Sequence, residues 1–411
     1  MRVGLVTQWY PPEPAFIPAG LAAALAARGH QVRTLTAFPN YPGGRIYPGY
    51  RQRWRSVETV DEVTVRRVPV YPSHDSSAVG RVANYLSYAA TSSVAGWRFL
   101  AGLDVLYVYH PPPTAVAAAL LPRLLRRVPV LLHAQDIWPE SVTGSTMAPA
   151  GRAGRLLDRG LHAAMTRVYR SVDGIVALSD SMAELLVERG ADPSAVRVVL
   201  NWTEEELFRP VPVTPAARAE VGYRGRPVVM FAGNLGAFQR IETAIRAAAA
   251  VPDIDLVLVG SGIEEDAARR LVAELDAANI RFLGRRPPQE MAELYAAADW
   301  QLICLRNLPA LRGTVPSKLQ AALACGRPVL ASAPGDAARL VESAGVGFSC
   351  PPEDVVALAS RFAQAAALPA GEWARMGARA SRVYQDRMSL RVGVDQIEDM
   401  MAKLITQRRR R

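Results

Sequence analysis

Cysteine and lysine are scarce in this sequence. Three cysteines, Cys304, Cys325 and Cys350, occur among 411 residues, and none belongs to a CxxC or CxxH pair. An odd set without such spacing argues against a disulfide framework and against zinc, so we expect reduced thiols in the core of a cytosolic protein. Only two lysines occur, Lys318 and Lys403, so nearly all of the basic residues are arginines.

Long apolar runs are missing as well. No stretch approaches the roughly 20 apolar residues that are needed to span a bilayer. The first residues, Met1-Arg2-Val3-Gly4-Leu5-Val6, have the pattern of a β-strand. They do not have the pattern of a cleavable signal, which would need a longer apolar core and a small-residue cleavage site. We therefore expect a cytoplasmic protein.

Basic residues outnumber acidic ones, 48 against 38, which gives a formal net charge of +10, and the sequence ends in four arginines, 408–411. This balance suits nucleic acid, anionic lipid or phosphorylated substrates, and it suits plain solubility equally well. The charge alone therefore selects no class of partner.

Two series of short apolar runs alternate with Ala- and Leu-rich helical stretches, which is the rhythm of a doubly wound parallel sheet. The first series predicts strands at 3–7, 32–36, 105–109, 128–133 and 174–178, and the second at 228–232, 254–259, 280–283, 300–305 and 328–331. A polar, proline-bearing stretch at 201–226 separates them. We predict a first Rossmann-like domain over residues 1–205, a second over 206–387, and a last helix and basic tail over 388–411 that return to the first domain.

The first half lacks the GxGxxG signature of dinucleotide binding. Its first strand leads instead into Trp9-Tyr10-Pro11-Pro12-Glu13-Pro14. Proline has no N–H group to donate to a pyrophosphate, so nicotinamide binding is disfavoured here. We expect the first half to hold an acceptor.

The second half has better phosphate chemistry. Gly233, Asn234 and Gly236 lie in a turn between a strand and a helix, where glycine lets the backbone approach a ligand. Pro316, Ser317 and Lys318 open the helix that follows. A lysine on the first turn is unfavourable against the helix dipole unless an anion occupies the site, so these residues predict anion binding.

Several motifs in order resemble the retaining glycosyltransferases of family four, in particular the bacterial colanic-acid and N-acetylfucosamine transferases. The resemblance covers nearly the whole chain, and its strength lies in the order and spacing of the motifs. They are Tyr10-Pro11-Pro12-Glu13, Arg28-Gly29-His30, Phe38-Pro39-Asn40-Tyr41-Pro42-Gly43, Gln135-Asp136-Ile137-Trp138-Pro139-Glu140-Ser141, Gly233-Asn234-Leu235-Gly236 and Pro316-Ser317-Lys318.

This resemblance implies a GT-B fold, in which two Rossmann-like domains enclose a cleft for a nucleotide-diphosphate sugar. It implies that His133 lies near the reacting centre, with Asp136 and Glu140 beside it as catalytic candidates. Trp138, Glu13 and His110 are assigned to the acceptor. The mechanism implied is front-face transfer with retention, in which the leaving diphosphate helps to take the acceptor proton, with no metal or other cofactor.

The sequence departs from the family where the donor nucleotide binds. Counting back from Cys325-Gly326, the two usual glutamates are replaced by Gly313 and Ala321, and residues 300–335 contain no acid. The usual arginine and lysine that bind the diphosphate are replaced by Asn234 and Gln239. We expect Arg240 and Lys318 to compensate for the missing charge, and we assign Gly260 and Arg285 to the same donor site.

Two stretches, 114–127 and 81–98, combine apolar residues with arginines, so peripheral contact with the inner face of a membrane is an open expectation, whereas nucleic acid is not expected. The acceptor is expected to be a glycan, a lipid-linked sugar or a small-molecule natural product. Two alternatives remain open. One is a GT-B sugar-nucleotide epimerase, and the other is a degenerate protein that binds a sugar nucleotide without turnover.

Overall fold

The chain divides into two compact units in the computed structural model, which describes residues 1–73, 78–136, 138 and 151–410. The first unit contains Met1–Leu200 and the end of the chain from Gly393, and the second contains Asn201–Val392. The sequence placed these boundaries after residues 205 and 387.

The first unit is built on a twisted sheet whose strands are parallel except at one edge. Its described strands are β1 (Arg2–Val6), β2 (Gln31–Ala37), β3 (Ser56–Val60), β4 (Val63–Val68), β5 (Val105–His110), β6 (Val130–Ala134), β7 (Gly174–Ala177) and β8 (Val196–Val198). They lie in the order β3-β4-β2-β1-β5-β6-β7-β8, and β3 pairs with β4 in the antiparallel sense. The strand order therefore reverses between β1 and β5.

Helices cover both faces of this sheet, which is why its central strands are almost continuously apolar and buried. The described helices are α1 (Phe16–Ala27), α2 (Ala78–Phe99), α3 (Ala117–Arg126), α4 (Gly151–Ser171) and α5 (Asp180–Glu188). The edge strand β3 and its neighbour β4 were not predicted, because they alternate polar and apolar residues and because β4 contains the fully buried Arg67. Arg67 is held there by the carboxylate of Glu58 and the carbonyl group of Ala37.

The second unit is a six-stranded parallel sheet. Its strands are β9 (Val228–Ala232), β10 (Asp255–Val259), β11 (Ile280–Gly284), β12 (Trp300–Cys304), β13 (Val329–Ser332) and β14 (Gly347–Cys350), in the order β11-β10-β9-β12-β13-β14. Its helices are α6 (Pro215–Glu220), α7 (Ile241–Ala249), α8 (Glu265–Glu274), α9 (Met291–Ala297), α10 (Ser317–Ala324), α11 (Asp336–Ser343), α12 (Val355–Ala367) and α13 (Ala370–Arg387). The order reverses between β9 and β12. All ten predicted strands are confirmed by strands within two residues of them.

The last helix, α14 (Leu390–Arg410), packs on the first unit for most of its length. The carboxylate of Glu398 accepts hydrogen bonds from Arg28 at 2.5 Å and lies 2.7 Å from His30 Nε2. Both partners belong to the Arg-Gly-His motif that follows α1, so that motif anchors the end of the chain. In the described part of the chain no helix is long and apolar enough to cross a membrane.

Candidate functional site

The first candidate site lies at the carboxyl ends of β1, β5 and β6. In parallel α/β sheets, ligands bind outside the carboxyl ends of the strands where the strand order reverses. His110 ends β5, and the pairing of β5 with β6 sets Tyr109 opposite His133 and His110 opposite Ala134. The structure therefore brings His110 and His133 to one edge, and Asp136 follows β6 directly.

His133 is completely buried and held from both sides of its ring. Its Nδ1 lies 2.5 Å from Tyr107 Oη, and its Nε2 lies 2.8 Å from Gln135 Nε2. Burial lowers the pKa of His133 to about 3, so the ring is neutral at physiological pH. In this structure His133 orients Gln135, and a direct contact with a reacting group stays a prediction.

His110 has unusual surroundings for a buried polar side chain. It is 0% exposed, and neither ring nitrogen has a hydrogen-bond partner within the described ranges. The edge of the Trp138 indole meets its ring, with centroids 6.4 Å apart and planes at 80°. A buried polar group without a partner costs about 1–3 kcal/mol.

Asp136 lies at the surface of this edge with its side chain exposed, although the surrounding protein still raises the pKa of its carboxyl group. Its charge also acts on two neighbouring phenols. Burial raises the pKa of Tyr85 and of Tyr109, and the negative charge of Asp136 raises both further. Tyr85 projects from α2 and meets Trp138 edge to face, with centroids 6.4 Å apart. Glu140, the third catalytic candidate, lies outside the described residues.

Three aromatic rings at this edge, those of Tyr85, Trp9 and Tyr41, were not assigned to the site from the sequence. Trp9 and Tyr41 form a tilted pair with centroids 4.9 Å apart at the end of β1. Trp9 and Tyr41 do belong to motifs noted in the sequence, but Tyr85 comes from a helix with no local signal of a ligand. Aromatic rings beside a polar edge suit the apolar faces of a sugar or a lipid.

Glu13 braces two loops of the first unit from an almost fully buried position, 3% exposed. Its carboxylate accepts hydrogen bonds from the backbone N–H groups of Tyr10 at 3.1 Å and of Asn40 and Tyr41 at 2.8 Å each. Burial raises the pKa of Glu13 to about 7, and these donors oppose the rise. Its carboxylate oxygens are therefore engaged with the protein, and contact with an acceptor stays a prediction.

The buried, neutral His110 predicts that acid destabilises the first unit. Burial lowers the pKa of His110 to about 4, against roughly 6.5 when the chain is unfolded. Between these values the unfolded state binds the extra proton, so His110 by itself lowers the free energy of unfolding by about 1.4 kcal/mol per pH unit as the pH drops. In the same range His133 acts in the same direction, and Glu13, whose pKa is raised, acts in the opposite direction. The variant His110→Phe is expected to show a shallower loss between pH 6.5 and pH 4.5 in urea unfolding.

The matched control is His162→Phe, which changes a histidine on α4 whose side chain is 40% exposed. That control is expected to keep the wild-type slope. Parallel curves for wild type and His110→Phe would contradict the assignment of the acid-sensitive proton to His110.

The second candidate site lies at the carboxyl ends of β9 and β10, beside the first turn of α10. Gly233 follows β9 with a φ of +137°, and a Cβ atom there would lie 2.5 Å from Lys318 Cε. Gly260 follows β10 with a φ of +127°, and a Cβ atom there would lie 1.9 Å from the carbonyl oxygen of Gly233. The two glycines and Lys318 are thus packed together, and only glycine fits at either position.

The remaining predicted donor residues surround this core. The Asn234 side chain contacts Gly236, where a Cβ atom would lie 2.6 Å from Nδ2. Arg285 donates a hydrogen bond of 2.7 Å to the hydroxyl group of Ser261, the residue after Gly260. Pro316 precedes α10 without a side-chain cap, and Ser317 is exposed at its first position. The N–H of Leu319 donates to the carbonyl group of Pro316 at 2.9 Å, which leaves the N–H groups of Ser317 and Lys318 open to a ligand.

Lys318 has no carboxylate partner in the part of the chain that the structure describes. Its ammonium group lies over the ring of Phe231, 4.9 Å from the centroid, and burial lowers the pKa of Lys318. A partly buried cation at the positive end of a helix is unfavourable by itself. Glycine backbones and free N–H groups beside it complete a site for an anion such as a diphosphate.

Arg240 forms an ion pair in this structure. Its Nε donates to Glu353 at 2.9 Å, and Glu353 also accepts from the backbone N–H of Asn307 at 2.9 Å. The Arg240 side chain is 49% exposed, and its contact with the donor stays a prediction. Residues 300–335 contain no acid. Glu353, which follows β14 in the chain, places a carboxylate beside the loop after β12.

Within the described residues, no group of three or more His, Cys, Asp or Glu side chains is placed to hold a metal ion. Cys304, Cys325 and Cys350 are free, buried thiols of the second unit. The expectation of transfer without a metal stays a prediction.

Two Rossmann-like units, each with polar groups or glycines at the point of strand reversal, define the GT-B class of enzymes. Residues 17–202 match the family described as glycosyl transferase 4-like domain, and residues 215–383 match the family described as glycosyl transferases group 1. Together the two matches cover most of the chain, which belongs to the GT-B glycosyltransferases of the family-four type. The fold class and family predicted from the motifs are confirmed.

Individual relatives agree with this assignment. The chain is 27% identical to the "Putative colanic acid biosynthesis glycosyl transferase WcaI" of Escherichia coli (strain K12), over 84% of this chain and 86% of WcaI. It is 30% identical to the "Probable glycosyltransferase WbjE" of Pseudomonas aeruginosa, in a match that spans 56% of this chain and 57% of WbjE. The crystal structure of HepE from Anabaena in complex with UDP and glucose has the same fold, with a TM-score of 0.67, 18% identity and coverage of 98% and 99% of the two chains.

Proposed function

We propose that the chain is a retaining glycosyltransferase that uses a nucleoside diphosphate sugar, with the donor diphosphate on the second unit and the acceptor on the first. The observation that carries this proposal is Lys318, a partly buried cation without a carboxylate partner among the described residues, at the start of α10 and against Gly233. Its support from relatives is that HepE was crystallised with UDP and glucose and that WcaI is described as a colanic acid glycosyl transferase.

The proposed step is a front-face transfer. The bond between the sugar C1 and the diphosphate oxygen breaks, and the acceptor oxygen forms a bond to C1 on the same face. The acceptor proton passes to the leaving diphosphate oxygen, so no separate base or metal is required. Lys318, the first turn of α10 and the backbones at Gly233 and Gly260 would stabilise the charge that develops on the diphosphate.

The edge of the first unit would hold the acceptor. Asp136 and Gln135 would orient a hydroxyl group, with His133 fixing Gln135 in place. The rings of Trp138 and Tyr85 would cover an apolar face of the acceptor. Glycan, lipid-linked and natural-product acceptors all present such a hydroxyl group.

The experiment is an assay of the full chain with a panel of nucleoside diphosphate sugars and water-soluble acceptors, analysed by NMR. The expected product keeps the anomeric configuration of the donor. Inversion would contradict the mechanism. A changed donor sugar without any acceptor would identify an epimerase, and donor binding without turnover across the acceptor panel would identify a degenerate binding protein.

A further inference from the structure

One face of α2 is apolar and exposed along the whole helix. Val79, Val82, Leu86, Val94 and Trp97 are 79%, 53%, 58%, 68% and 37% exposed. These residues follow one another at intervals of three or four, except that Leu86 and Val94 are eight apart with the exposed Ala90 midway between them. They therefore lie on one side of the helix. A helix of a globular protein normally buries such a face, and its exposure requires a partner.

The neighbouring helix α3 extends this surface. Leu120, Leu121, Leu124 and Leu125 are 42%, 40%, 74% and 66% exposed, and α3 packs against α2. The guanidinium group of Arg126 lies over the ring of Trp97, 5.4 Å from its centroid, and so joins the ends of the two helices. We call these nine apolar side chains of α2 and α3 the apolar face.

The surroundings of the apolar face carry positive charge. Neither α2 nor α3 contains an acidic residue, and the one acid between them, Asp104, pairs with Arg2. Asp173, which precedes β7, pairs with Arg123 of α3 and balances its charge. The end of α14 adds more charge, because Arg408 donates a hydrogen bond of 2.8 Å to the backbone carbonyl group of Arg126. Arg408 therefore lies beside Arg126, although the two are distant in sequence, and Arg409 and Arg410 follow it at the end of the same helix.

We propose that the apolar face and this arginine cluster dock the first unit onto the surface of an anionic lipid bilayer. Exposed leucines and a tryptophan suit the boundary between head groups and acyl chains, and arginines suit anionic head groups. A second copy of the chain fits less well, because it would bring the same arginines and no acid from these helices. Docking would bring a lipid-linked acceptor to the first unit, and this consequence rests on the proposed function. Binding to vesicles does not depend on the proposed function.

The test is flotation of the full chain with vesicles of phosphatidylglycerol and phosphatidylcholine, compared with vesicles of phosphatidylcholine alone. The wild type is expected to float with the anionic vesicles. The double variant Leu124→Glu/Leu125→Glu is expected to lose at least tenfold in vesicle affinity. Both side chains are exposed, so the variant should fold, and transfer to a water-soluble acceptor should persist.

The matched control is Ile263→Glu/Val356→Glu, which places the same charge on residues of the second unit that are 85% and 80% exposed. It is expected to bind vesicles like the wild type. A second variant, with Arg408, Arg409 and Arg410 changed to glutamine, should lose binding to anionic vesicles specifically. Three results would overturn the proposal. The wild type could fail to float, or the variant and the control could lose vesicle affinity equally. The third is a dimer in sedimentation velocity that only Leu124→Glu/Leu125→Glu dissociates.

Discussion

Replacing Lys318 by methionine is expected to lower kcat/KM for sugar transfer by at least about a hundredfold, the loss typical when one preorganised group that stabilises transition-state charge is removed. Lys318 is partly buried, and this burial lowers the pKa of its ammonium group, so the charge is held against a desolvation cost. Methionine preserves the unbranched side chain and removes that cost. The free energy of unfolding in urea is therefore expected to stay the same or to rise while transfer is lost.

Lys403→Met is the matched control, because Lys403 is the only other lysine of the chain and is 64% exposed on α14. It is expected to keep wild-type transfer kinetics. If Lys318→Met kept wild-type kinetics as well, the anion site at α10 would not be the donor site. A parallel loss of stability and activity would instead mean that Lys318 is a packing residue.

Gly260→Ala is expected to show the second large effect. The new Cβ atom would lie 1.9 Å from the carbonyl oxygen of Gly233, which is backbone and cannot rotate away, at a φ of +127° that side chains rarely adopt. Strain and overlap together are expected to lower the free energy of unfolding by about 3–5 kcal/mol. Any folded fraction should bind donor poorly, because Gly233 would be displaced from Lys318. Thermal unfolding and donor titration measure the two effects.

Gly225→Ala provides the comparison for that variant. Gly225 also has a positive φ, +84°, but nothing lies within 4 Å of a Cβ atom there. Its cost is expected to be about 1–2 kcal/mol, from the backbone conformation alone, with donor binding intact. Equal destabilisation by the two substitutions would show that the contact with Gly233 is unimportant.

The second unit was largely predictable from its sequence. Gly233, Gly260 and Lys318 follow strands or open a helix, and the carboxyl ends of parallel strands meet at one edge of the sheet. Local patterns therefore predict that these three residues lie near each other. The loops that contain Gly233 and Gly260 were predictable as well, because glycine marks the close approach of two backbones.

Partners across loops were not predictable. The contact of Arg240 with the donor stays a prediction, but its ion pair with Glu353, more than a hundred residues later in the chain, was not predicted. The position of Glu353 depends on the loop after β14, which no local pattern specifies. Sequence spacing identifies which element carries a charge, and it does not identify which opposite charge another element brings to it.

The first unit shows the same limit for buried groups. His133 and His110 were assigned functions from their places at strand ends, and the structure differentiates them by their partners. His133 is bonded on both nitrogens, whereas His110 is bonded on neither among the described residues. Tyr85 and the arginine cluster beside Trp97 come from helices that pack next to these strands. Packing of that kind depends on tertiary structure and is invisible in local sequence.

The most direct test of the central claim is a calorimetric titration of the wild type and of Lys318→Met with a panel of nucleoside diphosphates. At least one diphosphate is expected to bind the wild type and to lose at least tenfold in affinity, about 1.4 kcal/mol, when Lys318 is replaced. Absence of binding by every nucleoside diphosphate, or equal affinity for the two proteins, would contradict the claim that Lys318 and the glycines around it form the donor site.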